Sequence, residues 1–131
     1  LLRSGTFACS AKGMTVRFTG KPSHAAYPEA GINPGFAAAG VITKIPGLLS
    51  PERYNGMVLA TLVGAEIGSK SFGTAAGMAE VYLTLRAWHE EDLYKLQDSI
   101  ENISRQAVGK DGMEVSFAFC EEFPETANDE S

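Results

Sequence analysis

The 131-residue chain is 44% hydrophobic and 21% charged, the balance of one ordinary globular domain, and no apolar run approaches the ~18 residues of a membrane span. Its net charge of −5 resides at one end: five of sixteen acids (Glu121, Glu122, Glu125, Asp129, Glu130) fall in the last eleven residues, leaving a body with eleven acids and eleven bases. A neutral body lacks the basic face that nucleic acid requires.

The start, Leu1-Leu2-Arg3-Ser4-Gly5, reads as neither a signal peptide nor an initiator methionine, and so as a cut in mid-sequence. Residues 1–12 carry little pattern. Met14, Val16 and Phe18 then alternate with Thr15, Arg17 and Thr19, the period of a half-buried strand. A turn-rich stretch follows from Gly20 to Gly31, with Pro22, Ser23, His24 and Pro28. Asn33-Pro34 offers a helix N-cap and a proline at the first helical position. The helix is expected to bury Phe36, Ala37, Val41 and Ile45 and to end at Pro46-Gly47.

Met57 to Ile67, rich in β-branched and apolar residues, reads as a second strand, and Gly68 to Gly77 as a glycine-rich loop. In Met78 to Trp88, Ala79, Val81, Leu83, Leu85 and Ala87 form one face; Glu80, Tyr82, Thr84, Arg86 and Trp88 form the other. From Glu90 the spacing turns helical. Leu93, Leu96, Ile100, Ile103 and Ala107 make the stripe, and Glu90, Glu91 and Asp92 suit the positive end of the helix dipole. Gly109 is the stop, and Met113 to Phe119 alternates as a last strand. The order β-α-β-β-α-β, with one apolar face per strand and one stripe per helix, predicts an α+β fold. A four-stranded antiparallel sheet would carry both helices on one face, a ferredoxin-like arrangement.

Cys9 and Cys120 stand alone, without a Cys-x-x-Cys spacing or an adjacent histidine. Buried or idle thiols of a reducing, cytoplasmic compartment fit them better than a disulfide framework. The informative stretch is Gly20-Lys21-Pro22-Ser23-His24-Ala25-Ala26-Tyr27-Pro28-Glu29-Ala30-Gly31-Ile32-Asn33-Pro34. Prolines and Gly31 restrict this loop, and the alanines after His24 let another chain come close. The loop therefore presents its histidine rather than burying it.

This stretch resembles the dimerisation, or lid, domain motif of the zinc aminoacylase, carboxypeptidase G, hippurate hydrolase and succinyl-diaminopimelate desuccinylase family, roughly G-K-x-x-H-A-x-x-P-x-x-G-x-N-P. A second family segment, F-N-V-I-P-D-x-A-x-L-x-x-x-I-R, aligns without a gap on Phe72 to Arg86, so the resemblance covers residues 14–120. It implies one domain over 1–131 with core 14–120; 1–12 and 121–131 would be stubs of connections to an absent catalytic domain. It implies a metal-dependent amidohydrolase or metallopeptidase acting on an N-acyl amino acid or related amide, with this fragment inactive alone. His24 would stabilise the oxyanion in the partner subunit's site, Arg86 would pair with a substrate carboxylate, and Asn33 would cap the helix. Zinc or another divalent metal would be bound by the catalytic domain, and this fragment would hold no metal or other cofactor. The implied partners are a second copy, joined through an edge strand and a helix, and the catalytic domains of both subunits.

The sequence departs from the family pattern at Gly73, where many relatives carry Asn, and at Ala75, Ala76 and Gly77, where they read I-P-D. Plainer readings remain beside these. Arg86 could face Glu80 or Glu114 on the sheet surface, His89 fits a helix-entry surface residue, and Tyr82 and Trp88 fit either an interface or amphipathic cover. Glu121-Glu122 lacks a neighbouring histidine and reads as solvated charge rather than a metal site. Two other functions share the element order. A small-molecule-binding regulatory module is the alternative, though it gives no reason for the His-Ala-x-x-Pro pattern. An RNA-recognition domain is rejected: the third strand reads Gly77-Met78-Ala79-Glu80-Val81-Tyr82, without the required aromatics and basics.

Overall fold

A computed structural model describes residues 10–121. The four long strands are β1 (Ser10–Thr19), β3 (Val58–Ile67), β5 (Met78–Ala87) and β6 (Glu114–Cys120); the helices are α1 (Gly35–Lys44) and α2 (Glu90–Val108). The sheet order is β3-β5-β1-β6, and every pairing is antiparallel. This is the ferredoxin-like plait that the element order predicts.

Period-two alternation puts Met14, Val16 and Phe18 of β1 and Ala79, Val81, Leu83, Leu85 and Ala87 of β5 on one side of the sheet, all buried. Both helices cover that side. Ala38 and Val41 of α1, then Ile45, and Leu93, Leu96 and Ile100 of α2 complete one core cluster. Burying each such aliphatic side chain contributes about 1.5–3 kcal/mol before chain entropy is counted. Glu80, Tyr82, Thr84 and Arg86 stand half-buried on the opposite, helix-free face. Helix α2 stops at Gly109, where φ is +62°.

Two features differ from the sequence expectation, and a third lies where the sequence carried little pattern. Phe36 is 81% exposed rather than buried. The stripe of α1 runs through Ala38 and Val41; Phe36 lies two residues before Ala38, about 200° round a helix of 3.6 residues per turn. Secondly, both predicted loops contain strand: β2 (Ser23–His24) and β4 (Thr74–Ala75) pair as a separate two-stranded ribbon. Two-residue strands have no periodicity to read. Thirdly, Lys12 is only 5% exposed. Its Nζ donates to Gln97 Oε1 at 2.8 Å and lies 4.5 Å from the Tyr94 ring centre, so hydrogen bonding and cation–π attraction hold the charge. Of the cysteines, Cys120 is exposed at the end of β6, and Cys9 lies outside the described residues.

Candidate functional site

The ribbon is rooted where β1 ends and β5 begins. Gly20 N–H donates to the Gly77 carbonyl at 2.8 Å, and Lys21 and Ile32 exchange two backbone bonds of 2.8 Å. These contacts leave no room for side chains. A Cβ on Gly20 would stand 2.0 Å from the Ile32 oxygen, and one on Gly77 would stand 2.6 Å from Pro22 Cδ. Beyond the root, Ser23 pairs with Ala75 and His24 with Thr74. Ala25 N–H donates to the Gly73 carbonyl at 2.9 Å, and Tyr27 N–H closes a turn onto the His24 carbonyl at 2.8 Å.

That turn fixes the imidazole. Ala26 N–H donates to His24 Nδ1 at 3.0 Å. A backbone N–H can only donate, so Nδ1 acts as the acceptor and the neutral ring carries its proton on Nε2. Because His24 is exposed, that side of the ring is open to solvent. The Tyr27 ring lies 5.7 Å from the imidazole, centre to centre, at 54°. Asn33 sits on the return of the same loop. Its Oδ1 accepts the Gly35 N–H at 2.8 Å and so closes an Asx turn into α1.

Arg86 is elsewhere. It lies on the helix-free face, opposite Ala11 of β1 and Leu59 of β3. Eight residues of β5 separate it from Met78 beside the ribbon root, about 26 Å at ~3.3 Å per residue. Arg86 thus lies at the opposite end of β5 from the root of the ribbon that carries His24. The same geometry removes the proposed pairing of Arg86 with Glu80, about 20 Å away along the strand, and with Glu114, which lies level with Thr19 and Met78 at the ribbon end. Glu80 instead accepts a 2.5 Å bond from Tyr82 OH and faces Arg17 Nε at 3.6 Å. The Glu80 bond, with desolvation and the nearby Glu66, pushes the Tyr82 phenol up to about 12.

Sequence reading missed Asp92. It was read as a first-turn acid, yet its carboxylate is buried and accepts the N–H groups of Asn55, at 3.2 and 3.0 Å, and Gly56, at 2.9 Å. The adjacent Asn55-Gly56 turn was the only available signal. His89 is half-buried at the entry to α2, and its side chain makes no cap. Among the described residues no three His, Cys, Asp or Glu side chains converge, so these residues do not fit a metal centre. Glu121 is exposed, and Glu122 lies outside the described residues.

The site is thus an α+β plait with an exposed histidine on a short ribbon. The family model described as "Peptidase dimerisation domain" matches residues 8–112. The chain belongs to that family. It is 26% identical over 119 residues to N-acetyldiaminopimelate deacetylase of Oenococcus oeni, covering 89% of this chain and 31% of the relative. The enzyme of the same name from Exiguobacterium sibiricum is 26% identical over 129 residues, 98% of this chain and 35% of the relative. The chain thus spans about a third of the length of these relatives. Among solved structures, a hydantoinase/carbamoylase family amidase from Burkholderia ambifaria superposes with a TM-score of 0.73 at 21% identity, over 86% of this chain and 28% of that one. The aminobenzoyl-glutamate utilization protein from Klebsiella pneumoniae gives 0.75 at 17%, over 86% and 28%. Those likenesses bear on the fold. Among the described residues no helix is long and apolar enough to cross a membrane.

Proposed function

We propose that this chain is the dimerisation domain of a metal-dependent, cytoplasmic amidohydrolase cleaving an N-acyl amino acid or related amide. Its His24 Nε2–H would stabilise the oxyanion in the site of the partner subunit. The Ala26 N–H to His24 Nδ1 bond carries this reading, because it leaves one preorganised donor facing outward. Residues 14–120 would form the domain core, with both ends leading to a catalytic domain. That domain would hold the divalent metal, whose chemistry is to polarise the carbonyl and supply the attacking water. The residues described here would bind and orient.

A two-fold pair supports the division of labour. Strand β3 is a sheet edge carrying exposed Leu59, Leu62, Val63 and Ile67, with Glu66 its only charge. An unguarded edge is a template for pairing. Antiparallel pairing of two β3 strands sets the Ile67 end of one against the Val58 end of the other. Val58 pairs with Ala87 and Ile67 with Ala79. The His24 ribbon of one copy then falls on the same side as Arg86 of the other. Arg86 would hold the substrate carboxylate bidentately while His24 meets the carbonyl oxygen.

The test uses the full-length enzyme. His24→Ala is expected to lower kcat by about 10²–10³ with a smaller change in KM. Mixing it with a subunit that has a wild-type ribbon but lacks the metal ligands is expected to restore one competent site per mixed dimer. Wild-type kcat in the stable His24→Ala dimer refutes the role.

A further inference from the structure

We propose that Asn55-Gly56 is a deamidation site and that the Asp92 carboxylate holds it closed in the folded protein. The inference goes beyond the function proposed above and does not depend on it.

Asparagine followed by glycine is the dipeptide most prone to spontaneous deamidation, because glycine has no Cβ to hinder its backbone nitrogen from reaching the preceding side chain. Among the asparagines only Asn55 is followed by glycine. Asn33 precedes Pro34, which has no N–H to become a nucleophile, and Asn102 precedes β-branched Ile103 inside α2. In the reaction the Gly56 nitrogen loses its proton and attacks Asn55 Cγ. The N–Cγ bond forms, the Cγ–Nδ2 bond breaks, and the proton leaves with the side-chain nitrogen as ammonia. Water then opens the succinimide at either carbonyl, giving aspartate or isoaspartate. Water is the only co-reactant.

Asn55 is exposed in the turn ahead of β3, so its amide is within reach of water. The nucleophile is not free. Gly56 N–H donates to Asp92 Oδ2 at 2.9 Å. Asn55 N–H donates to the same oxygen at 3.0 Å and to Oδ1 at 3.2 Å. Asp92 is only 2% exposed, so its charge is poorly screened by water. Deprotonating the Gly56 nitrogen would set a second negative charge against that carboxylate, which disfavours the ionised amide. Bonds to successive N–H groups also fix the backbone on both sides of Asn55, which must rotate to bring its Cγ onto the nitrogen. On another side the His89 ring crowds Gly56: a Cβ there would stand 2.8 Å from His89 Cδ2. Either product would add a carboxylate to the residue whose N–H Asp92 holds, and isoaspartate would lengthen the backbone just ahead of β3. The clamp therefore guards the entry to the edge strand.

The test ages the full-length protein in mildly alkaline buffer and follows Asn55 by peptide mapping, which separates its products from isomerisation at Asp111-Gly112. Wild type is compared with wild type unfolded in urea, with Asp92→Ala and Asp92→Asn, and with Val16→Ala. The last is a core truncation remote from the turn that lowers stability with the clamp intact. Because the attack must first break a hydrogen bond to a charged acceptor, folded wild type is expected to deamidate at Asn55 about tenfold to a hundredfold more slowly than the urea sample. Folded Asp92→Ala is expected to recover most of that difference, Asp92→Asn to fall between, and Val16→Ala to stay with the wild type. A wild type as fast as the urea sample overturns the proposal, as does an Asp92→Ala rate equal to wild type. Equal acceleration in Val16→Ala also overturns it, since lost stability rather than a lost clamp would then open the site. If Asp92→Ala does not fold, Asp92→Asn decides: it keeps an acceptor oxygen but no charge, and a rate no faster than wild type sinks the proposal.

Discussion

Replacing Asp92 by alanine removes the acceptor for two backbone donors, Asn55 N–H and Gly56 N–H. Hydrogen bonds to a charged group contribute about 1.5–3 kcal/mol each, and orphaned donors add a desolvation cost. Because Asn55 is exposed and Gly56 half-buried, water recovers part of the loss. The balance is about 2–4 kcal/mol, against the roughly 5–15 kcal/mol that holds a domain folded. Asp92→Asn keeps an acceptor oxygen but sets its NH₂ against one donor, so about half the loss is expected. Urea unfolding followed by circular dichroism measures this. With a slope of about 1–3 kcal/mol per M, the alanine variant's midpoint falls by about 0.7–4 M. Amide exchange at Asn55 and Gly56 should quicken in step, since the carboxylate ties this turn to α2 just ahead of β3. A midpoint for Asp92→Ala within about 0.2 M of wild type would show that the bonds contribute nothing net and would refute the reasoning.

Two further predictions concern the sheet. Val63 lies at the bulge of β3, between Leu62 and Gly64, and is 61% exposed; Val63→Asp should leave folding intact but weaken self-association by about 10² or more, since a two-fold axis brings both carboxylates together, and an unchanged dimer mass in sedimentation would count against β3 as the interface. The Tyr82 phenol, pushed from 10.0 up to about 12, favours the protonated form in the folded state; stability should be full below pH 10 and decline between pH 10 and 12, and Tyr82→Phe should remove that part of the decline in pH-dependent unfolding.

The plait was legible because its signals are periodic. β1 and β5 alternate without interruption, and α2 carries a clean stripe, so the period fixes which side chains are buried. The start of α1 was legible to within a residue: the helix begins at Gly35 with Pro34 in the cap position, one residue later than the Asn33 cap expected, and Asn33 Oδ1 accepts the Gly35 N–H. Errors arose where periodicity is short or ambiguous. In the apolar run of α1, Phe36 is larger than its neighbours, and size suggests burial, but phase places it outside. The ribbon strands are too short for any pattern, and the tautomer of His24 depends on one turn amide that no spacing encodes. The burial of Lys12 and Asp92 was not legible for a shared reason. Charge argues for solvent unless a partner is known, and their partners, Gln97 and Asn55-Gly56, lie 85 and 36–37 residues away in sequence.

The ten residues of β5 tie stability to function through one length. One side of the strand, Ala79 to Ala87 in steps of two, supplies five core residues and fixes the register with β1 and β3. The other side carries Arg86 near one end, while the ribbon presenting His24 is tied to the strand's opposite end through Gly77. The register that buries the core therefore also sets Arg86 about 26 Å along the strand from the root of the ribbon. An N-acyl amino acid is far shorter than that span. On the proposed function, a single copy would offer the carboxylate grip at one end of β5 and the oxyanion donor near the other. Reversing a second copy against β3 cancels the separation, because each sheet then contributes its opposite end to the same place. On the proposed function, dimerisation would assemble the site, and weakening β3 pairing should then lower kcat as well as raise KM.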